Sequence, residues 1–108
     1  MKTMLRASLV LIAVAFVFAF STSTFAADAA ADFKAKCASC HGPDGKGETA
    51  MGKSMKLKDL GSADVQAMSD ADLTAVIAKG KKPMPSYEGK LTADQITDLV
   101  KYIRAMKK

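Results

Sequence analysis

Both cysteines and the sole histidine of the 108-residue chain lie within five consecutive positions, Cys37-Ala38-Ser39-Cys40-His41. This C-x-x-C-H spacing is the attachment signature of c-type haem. Two thiols three residues apart on one helical turn can each form a thioether with one of the two vinyl groups on a haem edge. The next residue then brings its imidazole under the ring, where it binds iron from one face. We therefore predict that Cys37 and Cys40 form thioethers and that His41 is an axial iron ligand.

Two other kinds of site fit the cysteine pair less well. A thioredoxin-like redox pair would need a surrounding βαβ pattern, and no part of the chain alternates with the period of a strand. A closed zinc site needs four ligands, whereas the chain holds one histidine and no third cysteine. One covalently attached haem c is the cofactor that the motif predicts.

The second axial position of the iron needs a ligand from elsewhere in the chain. A methionine thioether is the best remaining donor, and Met/His ligation raises the haem potential. Met84 lies between Pro83 and Pro85, which restrict the backbone and lower the entropy lost on binding. We predict Met84 as the sixth ligand, with Met55 and then Met51 as alternatives.

The first 26 residues are typical of a secretory signal peptide. Lys2 and Arg6 precede an unbroken apolar run, residues 9–20, and small residues lead to Ala26. The run is shorter than the ~20 residues that span a bilayer, so an uncleaved anchor is disfavoured. We expect cleavage after Ala26, a periplasmic mature domain of residues 27–108, and no permanent membrane insertion of that domain.

Composition limits what the mature chain can do. Without Lys2 and Arg6, 14 basic side chains face 11 acidic ones, a net charge of +3. A chain this short buries a small core and usually needs a cross-link, metal or cofactor. The two haem propionates would offset most of the charge, and no basic stripe is interleaved with aromatic residues. Nucleic-acid binding is therefore not expected.

Three amphipathic helices are predicted in the mature chain. The first covers roughly Asp28 to Lys36, and the second begins after Ser69 and ends at Gly80. The third begins at a capping box, Thr92-Ala93-Asp94-Gln95, and its apolar residues recur with helical period. Residues 42–68 are predicted to form a long Gly-rich loop, with at most a short helical turn near residues 64–68.

At these residues the sequence resembles the class I monohaem cytochromes c, over essentially the whole mature chain. The family has an aromatic four residues before the first haem cysteine, which is Phe33 here, followed by the C-x-x-C-H run of Cys37 to His41. A Gly-rich loop comes next, at His41 to Gly47, and a late Met-Pro pair is found at Met84-Pro85. The apolar-x-x-aromatic pattern of the last helix is matched by Leu99 and Tyr102. The resemblance implies an all-α cytochrome c fold of three to five helices packed around one covalently bound haem. It also implies that Phe33 packs on Leu99 and Tyr102.

The resemblance further implies a function. Members of the family carry single electrons between redox proteins, so we expect a periplasmic electron carrier and not an enzyme. One alternative is a haem-bearing subunit of a larger oxidoreductase complex. A less favoured alternative is a small haem peroxidase or gas-binding protein, which would need an open iron position and polar distal groups.

The charge pattern predicts how redox partners dock. By analogy with the family, the haem edge is exposed beside the ligand-methionine segment, where lysines are frequent: Lys79, Lys81, Lys82 and Lys90. Lysines of the early loop would complete this rim: Lys46, Lys53, Lys56 and Lys58. Acidic residues would lie elsewhere: Asp59, Asp64, Asp70 and Asp72. We therefore expect redox partners with an acidic docking surface.

Overall fold

The computed structural model describes residues 24–108. The predicted signal peptide lies outside the described residues, apart from its last three positions. No helix within residues 24–108 is both long enough and apolar enough to cross a membrane.

The described residues form six helices and no strand, which confirms the predicted all-α fold. The helices are α1 (Thr24–Lys36), α2 (Ala38–His41), α3 (Ala50–Met55), α4 (Ala63–Gln66), α5 (Asp70–Lys79) and α6 (Ala93–Arg104). Two of them, α2 and α4, are four-residue turns, so the four longer helices agree with the expected three to five. Pairing between extended segments of residues 24–108 is limited to two isolated bridges, Lys81 with Met84 and Glu88 with Leu91.

Helix α6 begins where its capping box predicts. The Thr92 hydroxyl accepts from the Gln95 N–H at 3.1 Å, and the Gln95 side chain accepts from the Thr92 N–H at 2.8 Å. These two bonds satisfy donors that the first turn of a helix leaves free. One face of α6 is buried throughout its length: Ile96, Leu99, Val100 and Ile103.

Helix α5 also has the predicted ends. The Ser69 hydroxyl accepts from the Asp72 N–H at 3.0 Å, and the Gly80 N–H donates to the Val76 carbonyl at the other end. The buried side chains Leu73 and Ile77 face the same core as α6.

The core forms where α1 crosses α6. Phe33 and Leu99 are the largest fully buried side chains among the described residues, and the Phe33 and Tyr102 rings lie 5.2 Å apart at 44°. This confirms the predicted packing between the first and last helices. Burying a side chain of this size stabilises the fold by about 1.5–3 kcal/mol.

Two expectations about element boundaries were wrong. Helix α1 begins at Thr24, four residues before Asp28. The predicted loop of residues 42–68 contains α3, which is capped by the Thr49 hydroxyl accepting from the Gly52 N–H at 2.9 Å. The expected short turn is also present, as α4. Helix α3 is only six residues long, so hydrophobic periodicity could not reveal it.

The end of α6 holds the segment between α3 and α5 in place. The Arg104 guanidinium donates to the Gln66 carbonyl at 2.8 Å and to the Asp70 carboxylate at 2.9 Å. Beyond the helix, the Lys108 ammonium lies 2.6 Å from the Asp59 carboxylate. The last residues of the chain therefore support the segment that leads from α3 to α5.

Candidate haem site

The C-x-x-C-H motif follows a break between the first two helices. Helix α1 ends at Lys36, and Cys37 (φ −113°, ψ −33°) precedes the single turn of α2. The Cys37 carbonyl accepts from the N–H of Cys40 at 3.3 Å and from that of His41 at 2.9 Å. These bonds hold the two cysteines and the histidine on one compact turn.

Helix α3 packs against this turn and is hydrogen-bonded to it through its N-cap residue, Thr49. The Thr49 hydroxyl donates to the Cys40 carbonyl at 2.5 Å while it caps α3. A Cβ added at Gly52 would clash with the Gly47 and Cys40 carbonyls, so glycine is needed where α3 meets the motif. The Gly47 N–H donates to the His41 carbonyl at 2.7 Å, which ties the Gly-rich loop to the same turn.

Met84 lies in a structured connection after α5, residues 81–88, called here the Met84 segment. Within it, Lys81 and Met84 exchange backbone hydrogen bonds of 2.8 and 3.2 Å. The Lys82–Pro83 peptide bond is cis. Met84 is half-buried and packs against the core, so its thioether is presented from a fixed backbone.

One open groove, with an empty volume of about 690 Å³, brings all four predicted ligand residues together. Cys37, Cys40, His41 and Met84 line it, and so do apolar side chains from three further parts of the fold: Met55, Leu57, Val76, Pro83 and Pro85. An adjoining apolar pocket is lined by core residues that include Phe33, Leu73, Ile77 and Leu99. Cys37, His41 and Met84 line both spaces.

The electrostatics of the motif do not favour a redox-active thiol pair. Burial, followed by the nearby Asp32 charge, raises the pKa of the Cys37 thiol to about 11. A redox-active thiol would have a lowered pKa, because the thiolate is the reactive form. Cys37 and Cys40 are not joined by a disulfide.

His41 is suited to bind a group outside the chain. Burial lowers the pKa of its imidazole, which favours the neutral form that binds metals. Its Nδ1 is buried without a hydrogen-bond partner among the described residues. Since buried polar atoms are usually satisfied, an unpartnered ring nitrogen is compatible with a bound group nearby. Two thiols, this imidazole and a thioether on an apolar groove thus fit haem c.

The other candidate methionines take different positions. Met55 lines the groove from α3, so it shares the site with Met84. Met51 is 49% exposed on the same short helix and does not line the groove. Met106 packs beside the core, with its sulfur close to Gly45.

Sequence reasoning missed Tyr87 as a residue of the site. The side chain is half-buried and lines the groove, and its hydroxyl donates to the Lys36 carbonyl at 2.8 Å. Burial raises the pKa of the phenol, and the cysteine thiols add to this effect. Its position three residues after Met84 was the available signal, but the partner is 51 positions away and no local pattern reveals it.

The predicted docking lysines are only partly arranged as expected. Lys81 lines the groove, together with Lys36, which was not predicted, and Lys79, Lys82 and Lys90 are exposed. Lys58 pairs with Asp64 at 3.6 Å. Asp59 and Asp70 are likewise paired, with Lys108 and Arg104.

A second groove of about 650 Å³ is acidic. It is lined by Asp28 and Asp32 from α1 and by Asp94 and Asp98 from α6. The acidic groove therefore starts at the end of α1 remote from Lys36, and no local sequence pattern groups these four residues.

Comparison with known proteins finds c-type cytochromes. A family model described as cytochrome c oxidase, cbb3-type, subunit III, matches residues 25–103. Cytochrome c6 of Nostoc sp. strain PCC 7120 is 40% identical over 101 residues, covering 89% of this chain and 87% of the relative. Cytochrome c6 of Rippkaea orientalis is 36% identical, covering 88% and 86%. The solved structure of the KustC0563 c-type cytochrome superposes with a TM-score of 0.69 at 29% identity, covering 74% of this chain and 98% of that one.

An all-α fold around an apolar groove with a C-x-x-C-H turn defines a monohaem c-type cytochrome of class I. The chain belongs to the cytochrome c family. Its cofactor is covalently bound haem c. It is an electron-transfer protein and not an enzyme, and its partners are redox proteins.

Proposed function

We propose that this protein is an exported, periplasmic carrier of single electrons. Cys37 and Cys40 would hold haem c through thioethers, and His41 and Met84 would bind its iron from opposite faces. The observation that carries the proposal is that one groove is lined by all four of these side chains. The bound haem supplies the one-electron couple between Fe(II) and Fe(III).

The chain's own contribution is to hold these donors still and to exclude water. The α2 turn, supported by Thr49, fixes the thiols and the imidazole. The Met84 segment fixes the thioether, and the apolar groove lowers the local dielectric. Electron transfer then requires little rearrangement of the protein, and Met/His ligation in an apolar pocket raises the potential.

The relatives favour the hypothesis of a free electron carrier over that of a subunit of a larger complex. Those named cytochrome c6 match over 87% and 86% of their own length, so the similarity extends over most of those proteins. A peroxidase or gas-binding protein would need an open iron position. Met84 lines the groove, and as an iron ligand it would fill that position.

The proposed docking face surrounds the groove opening. Lys36 and Lys81 line the groove, and Lys79, Lys82 and Lys90 are exposed nearby in sequence. The ion pairs of the described residues involve none of these five lysines. Since unpaired charges steer association over about a Debye length, ~10 Å at 0.1 M salt, an acidic surface on the partner is proposed.

Replacing Met84 tests the ligand set. Met84→Ala in the holoprotein should abolish the weak red-end absorption between sulfur and ferric iron, lower the potential and open the iron to added ligands. Met55→Ala is the matched control, since Met55 lines the same groove, and it should keep the band. A band that survives in Met84→Ala and disappears in Met55→Ala would assign the ligand to Met55.

Intact mass tests attachment and export together. The protein purified from the periplasm should carry one haem per chain, begin at Ala27 and keep its haem through acid–organic extraction. No thiol should react with an alkylating reagent. Extractable haem would refute thioether formation at Cys37 and Cys40, and an uncleaved amino terminus would refute the proposed processing.

A further inference from the structure

We propose that Tyr87 is a positioning residue, whose hydroxyl ties the Met84 segment to the end of α1 across the haem groove. The Tyr87 hydroxyl donates to the Lys36 carbonyl at 2.8 Å. Lys36 directly precedes Cys37, and Tyr87 follows Met84 by three residues. This inference rests on the proposed ligation of iron by Met84.

The Lys36 carbonyl is available because the helix breaks at Cys37. In a continuous α-helix the Cys40 N–H would donate to the carbonyl four residues earlier, which is that of Lys36. Here the Cys40 N–H donates to the Cys37 carbonyl instead, at 3.3 Å. The break thus leaves a helix-terminal carbonyl without its usual donor. The Tyr87 hydroxyl takes this place.

The other hydrogen bonds between the Met84 segment and the helices run to α5. The Ser86 hydroxyl donates to the Ala78 carbonyl at 2.6 Å. The Tyr87 N–H donates to Ile77 at 3.1 Å and the Glu88 N–H donates to Ala78 at 2.9 Å. Among the hydrogen bonds of residues 24–108, the Tyr87 hydroxyl alone joins this segment to the wall that carries the C-x-x-C-H turn.

The tie therefore sets the distance between the two walls of the groove. One wall presents His41 and the thioether positions, and the other presents Met84. If Met84 binds iron held by the first wall, a hydrogen bond between the walls keeps the thioether within reach and opposes its departure. Removing the hydroxyl should make it easier for an added ligand to displace Met84.

The Tyr87 ring itself should stay in place when the hydroxyl is removed. It is half-buried against the core, and the Lys90 ammonium lies 5.8 Å from the ring centroid. Tyr87→Phe keeps these contacts and deletes one hydrogen bond. Because the ring is retained, the variant is expected to fold and load haem normally.

The test is an imidazole titration of the ferric holoprotein, in which binding is monitored as loss of the sulfur-to-iron absorption band. A typical hydrogen bond contributes about 0.5–1.5 kcal/mol net. At 1.4 kcal/mol per factor of ten, the apparent Kd for imidazole should fall about 2- to 10-fold in Tyr87→Phe. Tyr102→Phe deletes the same atom from a ring that packs on Phe33, away from the groove, and should leave this Kd unchanged.

An imidazole affinity in Tyr87→Phe equal to that of the unmodified protein would overturn the proposal, and so would equal changes in the two tyrosine variants. Met84→Ala separates this failure from failure of the proposed ligand. If Met84→Ala loses the band and Tyr87→Phe leaves the imidazole affinity unchanged, only the tie is refuted. If Met84→Ala keeps the band, the ligand assignment itself is refuted.

Discussion

Gly80, which ends α5, is expected to be indispensable for seating the Met84 segment. Its φ of 77° and ψ of 167° lie in a region that is essentially restricted to glycine. Another residue there would cost about 1–3 kcal/mol in backbone strain. A Cβ would also lie 2.8 Å from the Met84 carbonyl oxygen, 2.9 Å from the Pro85 carbonyl carbon and 2.9 Å from the Ser86 nitrogen.

These three contacts are to backbone, so the Met84 segment must move in Gly80→Ala. Inserting a methyl group into a packed site typically costs a further ~1–3 kcal/mol. We therefore expect the free energy of unfolding to fall by about 2–6 kcal/mol, a large share of the ~5–15 kcal/mol of a typical domain. The sulfur-to-iron band should weaken in the same variant, because Met84 is displaced.

Gly89→Ala is the matched control. Gly89 has φ +83° but nothing within 4 Å of an added Cβ, so its substitution adds strain without the clash. Urea denaturation of both holoprotein variants, monitored by circular dichroism, separates the contribution of backbone strain from that of the Cβ clash. Each kcal/mol of difference should also lower Tm by about 4–8 °C in a domain of this size. Equal losses of unfolding free energy in the two variants would show that the contacts of the added Cβ with the Met84 segment do not contribute.

Three further outcomes are expected. Electron-transfer rates with an acidic partner should fall as ionic strength rises, and Lys81→Glu with Lys82→Glu should slow them at an unchanged potential; rates indifferent to both changes would exclude the docking face. Thr92→Ala should lower the free energy of unfolding by about 0.5–2 kcal/mol in urea, and no loss would mean that the capping box is not stabilising. The Lys108 ammonium, followed by the Gly61 N–H, lowers the pKa of Asp59 below its ordinary value of 3.8. The folded state therefore gains stability that is complete above the unfolded pKa and lost as the pH falls through the folded pKa. Asp59→Asn should flatten this acid dependence of unfolding, whereas parallel pH profiles would contradict it.

Local signals predicted those parts of the fold whose causes are local. The capping box at Thr92 fixed the start of α6 because both of its hydrogen bonds join residues three positions apart. The C-x-x-C-H spacing grouped three side chains on one turn for the same reason. Met84 was selected by its flanking prolines, and the structure brings it to the same groove as His41.

The features that sequence reasoning missed depend on distant partners or on short elements. Asp70 pairs with Arg104, 34 positions away, so its charge could not be counted as a free acidic surface. The tie between Tyr87 and Lys36 exists only because the helix breaks at Cys37. Helix α3 is six residues long with Gly52 in its interior, and glycine disfavours helix by about 1 kcal/mol.

The crossing of α1 with α6 joins residues that lie far apart in the chain. A chain is made from its amino terminus, and Phe33 reaches the Leu99 and Tyr102 side chains only after nearly the whole sequence has been synthesised. Closing the long loop between such distant residues costs entropy before the packing compensates it. Until the last helix docks, α1 has no stable core to join. We therefore expect the Cys37–His41 segment to stay accessible to covalent modification until α6 docks on α1.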